Sequence, residues 1–188
     1  MKKSHHQMDR AMLASLLMLS WPTILESLLE TIVQYVDTAM VGHLGADATA
    51  TVSLSSTYTW LINSVMSAMG VGFLAYIARA IGEKNEEKIK KAAGQTVLVT
   101  LITGSILMII TIGIAPFMPV WMGADEAIRH DAAVYFIWIN LPMVFRAATI
   151  IFGAAIRSTG DTKSPMIVNL IVNVVNIVFN YILIYPCG

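Results

Sequence analysis

The sequence is short of charge, of cysteine and of every arrangement that marks a soluble enzyme. Asp, Glu, Lys and Arg make up 13% of its 188 residues, about half of the ~25% usual in a soluble domain. One cysteine, Cys187, excludes an internal disulfide. No Cys/His spacing resembles a zinc site, so redox chemistry and a structural metal are not expected. The formal net charge is zero and no basic patch stands out, which excludes nucleic acid as an expected partner. No paired catalytic motif, nucleophile elbow or phosphate loop is present. Asp37, His43 and Arg146 supply ionisable groups, but the chain is not expected to be an enzyme. His5 and His6 read as a solvated tail, and His43, beside Gly42, as an interfacial residue.

What is abundant is apolar surface. Hydrophobic residues make up 56% of the chain and the mean hydropathy is +0.69. Apolar segments at about 12–41, 51–78, 92–115, 132–156 and 165–186 are each long enough to cross a hydrocarbon core that takes about 20 helical residues. The expected fold class is an all-α polytopic membrane protein with about five transmembrane helices, its first partner the lipid bilayer. Residues 1–11 form the expected N-terminal tail and 12–188 the membrane domain.

Charge is distributed unevenly between the connections. Lys2, Lys3, Arg10, Arg79, Lys84, Lys88, Lys90, Lys91, Arg157 and Lys163 fall on one side, Arg129 on the other and Arg146 inside a span. The positive-inside rule then places the N-terminus in the cytoplasm and, after five crossings, the C-terminus outside. "MKKSHHQMDR" before an apolar run resembles the start of a signal peptide. That run continues through "WPTIL" with no convincing small-residue cleavage site, so an uncleaved first helix is expected. The expected location is the plasma or bacterial inner membrane.

Two polar stripes interrupt the apolar spans. At about 100° per residue, Glu26, Glu30 and Asp37 fall within roughly 40° of one another, and Thr23 and Gln34 widen the stripe to roughly 80°. An acid at the centre of a membrane helix costs roughly 2.5–3.5 kcal/mol, so this face is expected to point at a bundle interior or a watery cavity. On the fifth span, Asn169, Asn173, Asn176 and Asn180 lie within roughly 60°. Their spacing fits interhelical hydrogen bonding. It fits equally a set of carboxamides that, with a carboxylate, coordinates a hard cation or steers a proton. Asp37 near a helix end and Glu26 held by a neighbouring helix also have purely structural readings.

Further features fit helices that bend and approach closely. Pro22, Pro116, Pro119 and Pro142 fall within or at the ends of spans, where proline removes a backbone hydrogen bond. Gly70 and Gly72 sit among small residues that allow a close crossing or a kink. Arg146, with Asn140 nearby in sequence, either neutralises an acid or pairs within the bundle. Most of the twelve methionines read as core filling, and some as an adaptable lining.

"WPTILESLLETIVQYVDTAMVGHLGADATATVSLSS" (21–56), "GVGFLAYIARAIGEKNEEKIKKA" (70–92) and "AAIRSTGDTKSPMIVNLIVNVVNIVFNYILIY" (154–185) together resemble the first five helices of a multidrug and toxic compound extrusion (MATE) transporter. The resemblance implies an antiporter that expels organic, often cationic, compounds in exchange for sodium ions or protons, with two six-helix lobes around a cavity of alternating access. It implies that Asp37 is the first-helix acid of cation coupling and that Asn176 belongs to the same site. Asn180 stands where some members carry a second aspartate, a departure from the fuller acidic site. Glu26, Glu30, Gln34, Asn173 and Arg146 are then candidates for the cavity or for substrate contact. No cofactor is expected beyond the coupling ion, and no metal beyond sodium at Asp37.

Residues 12–188 would form most of an amino-terminal lobe. The expectation is therefore a truncated or fragmentary product whose partner is the missing carboxy-terminal lobe. A lipid-linked oligosaccharide flippase of related architecture and a non-transporting structural subunit are the alternatives. A basic cavity is expected of the first, and the second leaves the two polar stripes unexplained.

Overall fold

The computed structural model describes residues 2–184. Seven helices follow one another: α1 Lys2–Gly42, α2 Ala46–Gly82, α3 Glu86–Ile114, α4 Met118–Trp121, α5 Glu126–Asn140, α6 Met143–Arg157 and α7 Lys163–Ile184. Four are long and apolar enough to cross a membrane, and α5 with α6, bent by 47° at their junction, passes the same test as a pair and is either a broken span or a re-entrant loop. Among the described residues this gives four candidate spans, or five when the bent pair counts as one, in line with the expected all-α membrane fold. Helix α1 starts at Lys2, so residues 2–11, expected as an N-terminal tail, are helical, while the candidate membrane span begins at Met12. No glycine or proline interrupts them, and a helix propagates readily once nucleated. The side chains of His5 and His6, and residues 185–188 with Cys187 and the end of the expected fifth span, lie outside what is described.

The breaks between helices have local causes. Gly45 adopts φ 105°, Gly123 φ 70° and Gly160 φ 89°, conformations that glycine enters without a Cβ penalty. Asn85 caps α3 by accepting from Lys88 N at 3.0 Å, and Glu86 and Glu87 occupy the first turn, where the helix dipole favours acids. Asp161 accepts from the backbone N–H groups of Lys163 at 3.1 Å and Ser164 at 3.0 Å, starting α7. Pro142 stands at the break between α5 and α6. Having no N–H, it leaves the Trp138 carbonyl without its usual donor, and the span bends there. Pro22 lies inside α1 without ending it, while Pro116 and Pro119 fall at the end of α3 and in α4.

The chain divides into two compact units, one of residues 1–40 with 160–188 and one of 41–159. The second is built around Ile62, Met66, Ala115, Met118, Phe136, Met143 and Ala147. Three of its largest fully buried side chains are methionines, Met66, Met118 and Met143, which fill the core as expected, whereas Met12, Met18 and Met122 are exposed. Tyr58 meets Phe136 edge to face with centroids 6.0 Å apart. Small residues bring its helices together. A Cβ on Gly104 would lie 2.8 Å from Val144 Cα, so α3 and α6 approach backbone to backbone. A Cβ on Gly70 would lie 3.2 Å from that of Ala154, whereas Gly72 has open space. Of the two glycines expected to allow a close crossing, Gly70 does so. The first unit pairs α1 with α7.

Candidate functional site

The first unit places the two polar stripes against each other. Asn169 Nδ2 donates to Glu26 Oε1, and Asn180 Nδ2 donates to Asp37 Oδ1 at 2.9 Å. Both pairs are separated by 143 residues, so both helices advance by the same amount between contacts and run parallel. The advance is 11 residues, from 26 to 37 and from 169 to 180, close to three full turns at 3.6 residues per turn. One polar face of α1 therefore stays opposed to one polar face of α7. Glu30 and Asn173 stand at the same offset.

Asn176 presents its amide to the same carboxylate as Asn180. Turned one way, its nitrogen donates to Asp37 Oδ1 and Oδ2 at 3.2 Å each. Turned the other way, its oxygen accepts from Asn180 Nδ2 at 3.2 Å. Asp37 is half-buried and Asn180 likewise, while Asn176 is exposed. The Asp37 carboxylate thus sits beside two carboxamides, each offering both a donor and an acceptor. Such a cluster can satisfy a bare carboxylate through N–H groups, or turn oxygens toward a cation.

The remaining candidates are more dispersed. Glu26 is 5% exposed, Asn169 and Asn173 are half-buried, and Glu30 and Gln34 are exposed. Among the described residues no group of three or more His, Cys, Asp or Glu comes together. Arg146 belongs to the other unit. There its Nη2 donates to the Ile139 carbonyl at 3.3 Å, at the C-terminal end of α5. A cation at that position offsets the negative end of the half-helix dipole and occupies a carbonyl left at the break. Of the two sequence readings of Arg146, this contact is pairing within the bundle. Asn140, fully buried, donates to the Phe136 carbonyl at 2.7 Å.

Asn169 gains a role that its place in the stripe alone did not assign, as the partner of Glu26. Its signal is present in the chain: Asn169 precedes Asn180 by the same number of residues as Glu26 precedes Asp37. Matching intervals on two helices become informative once the helices are parallel.

Comparison with known proteins identifies relatives of this chain. The model of the MatE family matches residues 22–182. A probable multidrug resistance protein NorM of Thermotoga maritima is 29% identical over 90% of this chain and 37% of its own length. The probable multidrug resistance protein YoeA of Bacillus subtilis is 32% identical over 87% of this chain and 35% of its own. The chain thus spans little more than a third of the length of these relatives. Its fold is similar to an outward-facing multidrug resistance MATE family transporter of the MOP superfamily, with a TM-score of 0.87 and 24% identity over 93% of this chain and 39% of that one.

Proposed function

The chain belongs to the MatE family, a family of transporters, and on that premise we propose that it supplies the ion-coupling helices of a multidrug efflux antiporter. In this reading the complete transporter exports organic, cationic compounds in exchange for sodium ions or protons across the cell membrane. The N-terminus is cytoplasmic, by the excess of Lys and Arg on its side. A carboxy-terminal lobe is its partner in alternating access.

The observation that carries the proposal is the Asp37 carboxylate of α1 facing Asn180 and Asn176 of α7. A charge among membrane helices is costly and marks an ion or proton pathway. With no ion bound, the two amides satisfy the carboxylate by donating to it. When sodium enters, the Asn176 amide turns so that its oxygen joins the carboxylate oxygens around the ion. When a proton enters, the carboxylate becomes a neutral acid that the same amides still hydrogen-bond. In both cases the charge on Asp37 is cancelled, and its end of the seam between α1 and α7 becomes compatible with a drier environment. Glu26, Glu30, Gln34 and Asn173 line the same face and offer polar contacts to a cationic substrate. The family match favours efflux over lipid-linked sugar flipping.

The test is ethidium efflux from cells expressing the complete transporter, with sodium and proton gradients imposed separately and Asp37→Asn alongside. Efflux driven by one gradient and abolished by the substitution names the coupling ion and its site. Efflux that survives the substitution overturns the assignment of Asp37.

A further inference from the structure

A groove of about 440 Å³ opens on the 41–159 unit, and every residue that lines it belongs to that unit. Ile77 of α2 meets Ile89, Ala93 and Val97 of α3 and Phe152 and Ile156 of α6 there. Val97 is 49% exposed and Ile156 42%, so the groove is open along its side. The only polar side chains in its lining are already engaged. Thr96 Oγ1 donates to the Ala92 carbonyl at 2.8 Å, and Thr159 Oγ1 to the Ile156 carbonyl at 2.8 Å. Such a surface has nothing to orient a polar ligand and suits hydrocarbon. Its volume falls within the roughly 300–1,000 Å³ of small-molecule sites, room for a chain and not for a protein partner.

The groove also has a charged end. Along α3 its lining runs from Ile89 to Val97, about 12 Å at 1.5 Å per residue, beginning just inside the helix start at Glu86. It therefore lies within one leaflet, next to the connection 79–91, which carries five basic and three acidic residues. One of those acids, Glu83, is held between Arg79 and Lys88. Lys90 is exposed and precedes Ala93 and Val97 by three and seven residues, the spacing of one helical face. Glu86 stands one turn further out on that face, in the first turn of α3, where the helix dipole favours it.

We propose that this groove holds one acyl chain of an anionic phospholipid, whose phosphate is met by Lys90 at the groove's basic end. The apolar lining selects hydrocarbon, and the excess of positive charge beside it selects a negative headgroup. A lysine stem runs along apolar surface while its ammonium reaches the interface, where it meets phosphate as a point charge. The leaflet on this side is the cytoplasmic one by the positive-inside rule, and that leaflet is the one rich in anionic lipid. A chain seated between α3 and α6 supplies contacts that their own side chains leave open at this end, whereas nearer the middle of α3 the two helices touch directly at Gly104. The site requires no ion at Asp37 and does not depend on the antiport reading.

The experiment is tryptophan quenching by lipids with brominated acyl chains, in phosphatidylcholine vesicles that contain the full chain. Val97→Trp reports from the groove, and Leu98→Trp from exposed surface of α3 outside it. Brominated phosphatidylglycerol is expected to quench Val97→Trp at a lower fraction of total lipid than brominated phosphatidylcholine does, with no such preference at Leu98→Trp. Adding Lys90→Gln is expected to lower the preference about fivefold, the weight of one lysine at an anionic surface. Equal quenching of Val97→Trp by the two lipids overturns the proposal. So does a preference that survives Lys90→Gln, or an absence of quenching by either lipid, which would mean that another segment of protein covers the groove. If Val97→Trp does not fold, native mass spectrometry of the unsubstituted chain with each lipid decides. Phosphatidylglycerol retained over phosphatidylcholine, and lost in Lys90→Gln, supports the site, and equal retention overturns it.

Discussion

In one unit, α3 lies so close to α6 that a Cβ on Gly104 would stand 2.8 Å from Val144 Cα; in the other, α1 and α7 meet through Glu26–Asn169 and Asp37–Asn180. In lipid the hydrophobic effect does not drive helices together, and close packing of small residues is the most effective substitute. Side-chain hydrogen bonds between membrane helices average only about 0.6 kcal/mol, because the separated helices also find partners. The first arrangement therefore relies on close packing of backbone against backbone. The second rests on side-chain hydrogen bonds, which on the antiport reading proposed above an ion or a proton would exchange. A transporter needs both: a rigid scaffold and a seam whose preferred state depends on what is bound.

The largest effect expected from breaking this contrast is at Gly104. Gly104→Leu forces α3 and α6 apart and should destabilise the 41–159 unit by about 1–3 kcal/mol, as overpacking does. The check is thermal unfolding in detergent, where a midpoint equal to that of the parent chain would show that the approach tolerates bulk. Next comes Arg146→Met, which removes the guanidinium from the α5 carbonyl end and should cost about 1–2 kcal/mol. Arg146→Lys should recover part of that loss because it keeps the charge near the helix end. Equal destabilisation by Met and Lys would shift the role from charge to the guanidinium's hydrogen-bond geometry.

Seam substitutions should show the opposite balance. Asn180→Ala is expected to change stability by only about 0.6 kcal/mol, yet to weaken coupled efflux in the complete transporter strongly. A large stability loss without a transport defect would make the seam structural.

The smallest effect concerns pH at the turn between α2 and α3. Glu83 accepts from Lys88 Nζ at 2.7 Å and from Arg79 Nε at 3.0 Å, and these partners, Lys88 foremost, hold its carboxyl below the ordinary range. A lowered value means that the contribution is present above the ordinary carboxylate range and lost as pH falls through the lowered one. Hydrogen exchange across residues 79–88 should rise slightly in acid, and Glu83→Gln should remove that dependence.

Much of this organisation was legible in the chain. Five spans followed from apolar length, and both stripes from helical period, because composition and periodicity are local. The bend was legible only as a set of candidates. Pro142 and Pro22 offer the same missing N–H, but α1 continues through Pro22 whereas the fourth span breaks at Pro142. Arg146 was ambiguous for a related reason: its contact, Ile139, lies on the other half of that broken span. Gly70 and Gly72 read alike in sequence, and their difference arises from Ala154 on a distant helix.

The sequence by itself determined the solvent, since a chain with 56% hydrophobic and 13% charged residues has too little polar surface to cover itself in water. It also determined which face of each helix is polar, because that depends only on spacing along one helix. The tertiary structure decided the pairing: the shared offset of 143 residues, the two amides at Asp37, and the close approach at Gly104. Each is a relation between segments far apart in the chain, and a helical period specifies a face without specifying what will lie opposite it.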